Sequence, residues 1–415
     1  MHVAPASRPP LPAQLKPLTG LRFAAALHVV FVHLLVIGHL DGLPAALKAF
    51  VERGYMAVPL FFVLSGFVLT YTYTGVRSRT GSNQDLNRRA FWVARFARIY
   101  PVYALSLLLA IPTYFTRASL SEPLATLGVA VPVLLMLQGW FPGIVQAWLS
   151  PAWSLSAEAL FYLLFPFVVP LIARVRLPKL TFSLALLWFA SVVAPLAYPL
   201  VFPNGEGEPG TVRWLWAMAV YFGPLPHLPE FLTGIVLGRI FLARSSRTTK
   251  AQPARVLAAV GATLGVVGYI LAAYAGGDWL VPRLLTHTGA FLPIYAVLVY
   301  SLALGGGPIG RVLGTRPLLV LGEASYGLYL LHFPVFWWTE RVIRRLPVAD
   351  AIFASGWVFP LIELCMAVAA SVVVNLAFER PARRLLRRVL TSRTSGAPAP
   401  EGPAGQSPVG VGALS

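Results

Sequence analysis

From Leu18 to Leu34 the chain reads Leu-Thr-Gly-Leu-Arg-Phe-Ala-Ala-Ala-Leu-His-Val-Val-Phe-Val-His-Leu. This run is apolar enough to cross a bilayer, yet it holds Arg22, His28 and His33. A cation inside hydrocarbon costs roughly 2.5–3.5 kcal/mol on insertion scales, so such a residue marks a functional site by default. Arg22 and His33 stand eleven residues apart. At about 100° per residue that separation leaves them within ~20° of each other and about 16 Å apart along one helix face. His28 lies on a different face. A fixed cation and a titratable base on one stripe imply a protein-lined cavity within the membrane.

Composition supports that setting. The 415 residues are 57% hydrophobic and 12% charged, with mean hydropathy +0.71, which excludes an ordinary soluble domain. The net charge of +18 comes from 33 Lys and Arg against 15 Asp and Glu. These basic residues fall in short loops between apolar runs, the pattern of a positive-inside bias, so no nucleic-acid partner is expected. Cys365 is the single cysteine, which excludes an internal disulfide, and the seven histidines form no H-x-x-x-H pair. No metal site is expected. The first apolar run has no small-residue cleavage signal behind it and reads as a retained span.

Runs long enough to span fall at 18–40, 54–74, 99–116, 155–173, 180–202, 214–243, 255–276, 287–304, 317–338 and 355–377. Segments 75–98, 174–179, 244–255, 305–316 and 379–388 are basic and are expected in the cytoplasm. The acidic loop 203–213 and the stretch Gly276-Gly-Asp278 suit the outside. These assignments agree only if 124–140 does not complete a crossing. The expected fold is therefore an all-α polytopic membrane bundle of about ten spans, with a re-entrant or peripheral helix near 124–140 and both termini cytoplasmic. Arg341, Arg344 and Arg345 run against the charge rule. Pro224, Pro226 and Pro229 should break the run 214–243. The domain organisation is an N-terminal cytoplasmic segment 1–17, a membrane domain 18–390 and a disordered cytoplasmic tail 391–415.

Four clusters carry candidate chemistry. His33, with an unperturbed pKa of about 6.5, suits a general base for a hydroxyl nucleophile, and Arg22 suits a clamp on a phosphate or thioester oxygen. The plain alternative is that Arg22 snorkels to the surface and His33 bonds a neighbouring helix. Arg88, Arg95 and Arg98 can share a helix face beside Phe91, Trp92 and Phe96. That surface suits a ligand with several phosphates, coenzyme A above all, or equally an anionic lipid surface. In Pro151-Ala-Trp-Ser-Leu-Ser-Ala-Glu158, the glutamate either belongs to a helix cap or orients the His33 ring. Tyr326, Tyr329 and His332 lie inside a span and need partners there. Ser65-Gly66 permits close helix packing, and Glu230 and Arg239 either pair or face a cavity.

Taken in order, Leu18-Thr-Gly-Leu-Arg-Phe with His33, Phe61-Phe-Val-Leu-Ser-Gly66, Arg95-Phe-Ala-Arg-Ile-Tyr-Pro101, Trp153-Ser-Leu-Ser-Ala-Glu158, Phe231-Leu-Thr-Gly234 and Gly322-Glu-Ala-Ser-Tyr-Gly-Leu-Tyr-Leu-Leu-His332 resemble acyltransferase family 3, the integral membrane O-acyltransferases. The family's arginine–histidine pair falls on Arg22 and His33, and the family is also expected to have ten spans. The resemblance implies transfer of an acyl group, acetyl or another short chain, from acyl-CoA as co-substrate, with no bound cofactor. It implies Arg22 and His33 as catalytic residues, and Glu158, also assigned to catalysis, or else Tyr326 is expected to orient the His33 ring. Donor or acceptor binding falls to Arg88, Arg95, Arg98, Ser65, Trp153, Tyr326 and His332. The acceptor would be a hydroxyl of a carbohydrate or of a macrolide-type antibiotic, placing the protein in cell-envelope modification or antibiotic biosynthesis at the plasma membrane. Some members carry a C-terminal esterase-like domain. Here only a short tail follows the last span, so any such step is expected from a separate protein or not at all. The rival reading is a non-enzymatic transporter or flippase, which also needs buried charge.

Overall fold

The structure is a computed structural model and describes residues 15–80, 87–117, 123–245, 251–275 and 280–392. Every regular element among the described residues is helical. Hydrocarbon offers no partner to backbone N–H and C=O groups, and an α-helix satisfies its own.

Helix α1 (Lys16–Val36) starts with Pro17 in its first turn, where the missing N–H costs no helical bond. The short α2 (Ala45–Glu52) leads into α3 (Ala57–Thr80), followed by α4 (Arg88–Arg117). Helix α5 (Pro123–Leu134) has 12 residues. By helical rise that is about 18 Å, too short for an ~30 Å hydrocarbon core, so it does not cross. Met136 then turns the chain at φ 57° toward three single-turn 3₁₀ helices. Helices α6 (Trp153–Ala173), α7 (Leu177–Val201), α8 (Val212–Phe222) and α9 (Leu228–Ser245) follow. Next come α10 (Ala251–Ala275), α11 (Leu280–His287), α12 (Leu292–Ala303) and α13 (Gly307–Leu313). The long α14 (Arg316–Ile343), α15 (Ala349–Ala354) and α16 (Val358–Val374) complete the bundle, and a π-helical turn at Asn375–Glu379 joins α16 to α17 (Arg380–Ser392).

Eight helical segments among the described residues are long and apolar enough to span a membrane, against about ten expected. The difference has two physical causes. The run 214–243 is cut around Pro224 and Pro226 into α8, of 11 residues, and α9, which carries Glu230, Arg239 and Arg244. The run 287–304 reaches spanning length only together with α13, and the pair bends by 77°. The N-terminal segment before residue 15, the tail after residue 392 and Gly276-Gly-Asp278 lie outside the described residues.

Small residues set the closest helix contacts, as van der Waals packing in lipid favours. A Cβ on Gly66 of α3 would sit 2.2 Å from the Phe231 carbonyl oxygen, and one on Gly234 of α9 would sit 2.1 Å from that of Val63. The two glycines thus face each other across the α3–α9 crossing. On α14, a Cβ on Gly322 would meet the Thr19 carbonyl of α1 at 2.0 Å. Helix α1 is held between α3 and α14. Its N-terminal end lies beside α13, and α17 packs on α4, so the basic segments 305–316 and 379–388 gather with Arg22, Arg95 and Arg98 at one end of the bundle.

Candidate active site

At this arginine end a cavity of about 240 Å³ opens between α1, α3, α4, α6 and α14. Arg22, Ser65, Arg95, Arg98, Glu158 and Tyr326 all line it, joined by Tyr162, Ser154 and Tyr329. Residues scattered over five helices therefore meet in one site. Their charges do not cancel, since three guanidiniums face a single carboxylate. Glu158 accepts a hydrogen bond from the Tyr162 hydroxyl one turn on, and none of the three arginines forms an ion pair with a carboxylate among the described residues. The Nε of Arg95 is buried without a hydrogen-bond partner. Such a cavity favours an anion, because uncompensated buried cations are costly until a ligand neutralises them.

Tyrosines shape the floor. The Tyr326 hydroxyl donates to the Ile99 carbonyl of α4 at 2.8 Å, and that of Tyr329 lies 3.0 Å from the Pro151 carbonyl and 2.9 Å from Ser154 Oγ. Each hydroxyl thus ties α14 to a neighbouring segment of the cavity wall.

His33 does not line this cavity. It sits further along α1, where its Nδ1 is 2.9 Å from Nε2 of His332 on α14. His332 is fully buried, and its Nδ1 is 3.1 Å from the Leu328 carbonyl. A carbonyl only accepts, so His332 Nδ1 carries the proton, and in the neutral ring Nε2 is then an acceptor. His33 must donate to it from Nδ1, which leaves the lone pair of a neutral His33 on Nε2. The ring of Phe333 packs 4.8 Å from that of His33. This relationship corrects one expectation: neither Glu158 nor Tyr326 orients His33, since both are engaged at the arginine end. The sequence assigned His332 to ligand binding, and nothing local in it signals a partner on α1.

Other predicted residues fall elsewhere. Arg88 is exposed, with its guanidinium 4.5 Å from the Phe167 ring centre, outside the cavity. Trp153 is buried against Phe62, Phe222 and His227. His28 bonds the Tyr269 hydroxyl and the Phe50 carbonyl, each at 2.9 Å, and ties α1 to α10 and α2. Glu230 and Arg239 do not pair: Glu230 is fully buried beside His227, whereas Arg239 reaches the Ala173 carbonyl.

Comparison with known proteins agrees with this picture. A family model described as an acyltransferase domain matches residues 16–379. Acyltransferase MdmB of Streptomyces mycarofaciens is 32% identical over 397 residues, covering 92% of this chain and 94% of that protein. Peptidoglycan O-acetyltransferase OatA of Listeria monocytogenes is 22% identical over 345 residues, and O-acetyltransferase OatA of Staphylococcus aureus is 24% identical over 341. Each of these two alignments covers 78% of this chain, but only 50% and 51% of the respective relative, so the chain spans about half the length of those two proteins. No solved structure matches significantly. A family match over most of the chain, on a bundle of membrane-spanning helices, shows that the chain belongs to acyltransferase family 3 and is a multi-pass membrane O-acyltransferase.

Proposed function

We propose that this enzyme takes its acyl group from acyl-CoA held at the arginine-lined cavity and passes it to a hydroxyl of a carbohydrate or glycosylated acceptor at His33. The observation that carries the donor reading is three guanidiniums around one carboxylate, none of them in an ion pair among the described residues. Coenzyme A is a polyanion whose pantetheine arm is long and slender. Arg22, Arg95 and Arg98 take its phosphates or thioester oxygen, while the arm runs through the cavity past Ser65, Ser154 and Tyr329 toward His33. The arginine end is then the cytoplasmic one, in keeping with the basic loops gathered there, and both termini are cytoplasmic.

At the reacting centre, His33 Nε2 removes the proton from the acceptor hydroxyl. The oxygen attacks the thioester carbonyl, the C–S bond breaks, and the imidazolium returns the proton to the departing thiolate. His332 acts as a positioning residue that keeps His33 in the tautomer with Nε2 free. Two relatives named as O-acetyltransferases, one of them for peptidoglycan, support acetyl as the group moved and a sugar hydroxyl as its destination. The test is release of free CoA thiol by the purified protein when acetyl-CoA and a panel of methyl glycosides are supplied. A His33→Ala protein should lose about 10²- to 10⁴-fold of that rate. Transfer at the unmodified rate by His33→Ala overturns the scheme.

A further inference from the structure

Beyond the histidine pair the same helices enclose a second cavity, of about 580 Å³. It occupies the other end of the bundle: α1 contributes Arg22 to the first cavity and continues to Ile37 and His39 at the second. Helix α4 runs from Arg95 to Tyr114, α14 from Tyr326 to Glu340, and the chain entering α6 lies at Ser150. His332 falls on α14 between Tyr329, which lines the first cavity, and Phe333, which lines the second. The second cavity has no basic residue but His39 in its wall, and it is rich in aromatic rings. Tyr114 and Trp148 stack at 4.8 Å, and Trp337 stands on α14. Two carboxylates, Glu340 and Glu363, face it. Glu363 is fully buried. One of its oxygens takes a hydrogen bond from His39 Nδ1 at 2.6 Å, whereas the other, Oε1, has no hydrogen-bond partner.

A buried carboxylate oxygen without a donor is expensive, and a ligand hydroxyl removes the cost. Aromatic walls around one or two fixed acceptors suit a compact neutral molecule with an apolar face and several O–H donors, and the volume is that of an ordinary small-molecule site. Glu340 is paired with Arg344, so the open acceptor is Glu363 Oε1, and an anion such as coenzyme A does not suit an unpartnered carboxylate oxygen. We infer that this cavity is the acceptor site, that it takes a glycoside, and that Glu363 Oε1 accepts a hydrogen bond from one of the sugar hydroxyls. The inference rests on the reading of His33 as the reacting centre, because only then do donor and acceptor reach one imidazole from opposite ends of the bundle. Glu363 is a binding residue in this account. The carboxylate, held by His39, fixes which hydroxyl is turned toward His33.

The test reads binding as well as turnover. Gln146 lines the cavity, and Cys365 is the single native thiol. In a Gln146→Cys, Cys365→Ser protein, methyl glycosides should slow maleimide labelling, and coenzyme A should not. Adding Glu363→Gln or, separately, Trp337→Ala should weaken that protection by about tenfold, as expected when a site built around a hydroxyl loses its acceptor or its wall. The same two variants should raise the glycoside KM by a similar factor and leave the acetyl-CoA KM unchanged. Labelling untouched by every glycoside, or slowed equally by coenzyme A, overturns the inference. Glycoside protection without any CoA release would instead count against the donor reading while leaving the acceptor site standing. Glycoside-dependent CoA release that Glu363→Gln and Trp337→Ala leave unchanged would do the reverse.

Discussion

His332 Nε2 lies 2.9 Å from His33 Nδ1, and the two imidazoles are 299 residues apart in the chain. With His332 Nδ1 committed to the Leu328 carbonyl, the pair has one neutral hydrogen-bonding arrangement, and it leaves His33 Nε2 free. Replacing His332 by Ala should therefore lower kcat by about 10- to 100-fold with little change in either KM, because orientation is lost and the base is kept. In the double variant with His33→Ala, the His332 change should cost almost nothing further, since residues that act as a unit are not additive. Steady-state kinetics on the four proteins checks this. Additive losses would mean that the two histidines act separately.

The arginine cavity makes a sharper distinction within one helix. Arg98 lines it and Arg88 does not, although both belong to the same basic stretch of α4. Arg98→Ala should raise the acetyl-CoA KM by about tenfold, equivalent to roughly 1.4 kcal/mol, and leave the glycoside KM alone. Arg88→Ala, at an exposed position, should change either constant by no more than about twofold. Isothermal titration with coenzyme A gives an independent reading of the same difference.

Helix packing at Gly66 and Gly234 is a matter of stability. A side chain at either position would drive Cβ to within 2.2 or 2.1 Å of a carbonyl oxygen on the facing helix. Gly66→Ala should destabilise the protein by about 1–3 kcal/mol, the cost of overpacking. A lower unfolding temperature in detergent, with the histidine pair's chemistry intact in whatever remains folded, is the expected result.

Orientation follows from charge. A reporter fused after residue 392 should be reachable only from the cytoplasm, and a membrane-impermeant maleimide should label Gln146→Cys from outside intact cells. Labelling restricted to inverted vesicles would turn the whole arrangement over and place the donor outside.

The sequence carried the parts of this site that depend on local chemistry. Arg22 inside an apolar run, Arg95 and Arg98 of α4 and Tyr326 and Tyr329 of α14 are conspicuous because lipid penalises them, and all converge on one cavity. What it lacked was long-range pairing. The separation of Arg22 and His33 on one helix face was legible, yet nothing in a periodicity shows that His33 passes beyond the cavity and meets α14. Glu158 illustrates the same limit: its helix position was clear, but its partner proved to be Tyr162, not the imidazole. His39, at the end of a run, and Glu363, a carboxylate inside the run 355–377 that lipid also penalises, were passed over, and only the fold brings them together. The break expected from the prolines of the run 214–243 is found between Phe222 and Leu228, and the charges Glu230, Arg239 and Arg244 leave α9 outside the eight segments apolar enough to span.

The central claim is that donor and acceptor approach His33 from opposite ends of the bundle. Proteoliposomes with acetyl-CoA on one side only and a methyl glycoside on the other only test it directly, with acetylated glycoside measured by mass spectrometry. The account predicts product in the glycoside compartment when acetyl-CoA faces the arginine end, and none from His33→Ala. Product formed only when both substrates share one compartment would contradict it.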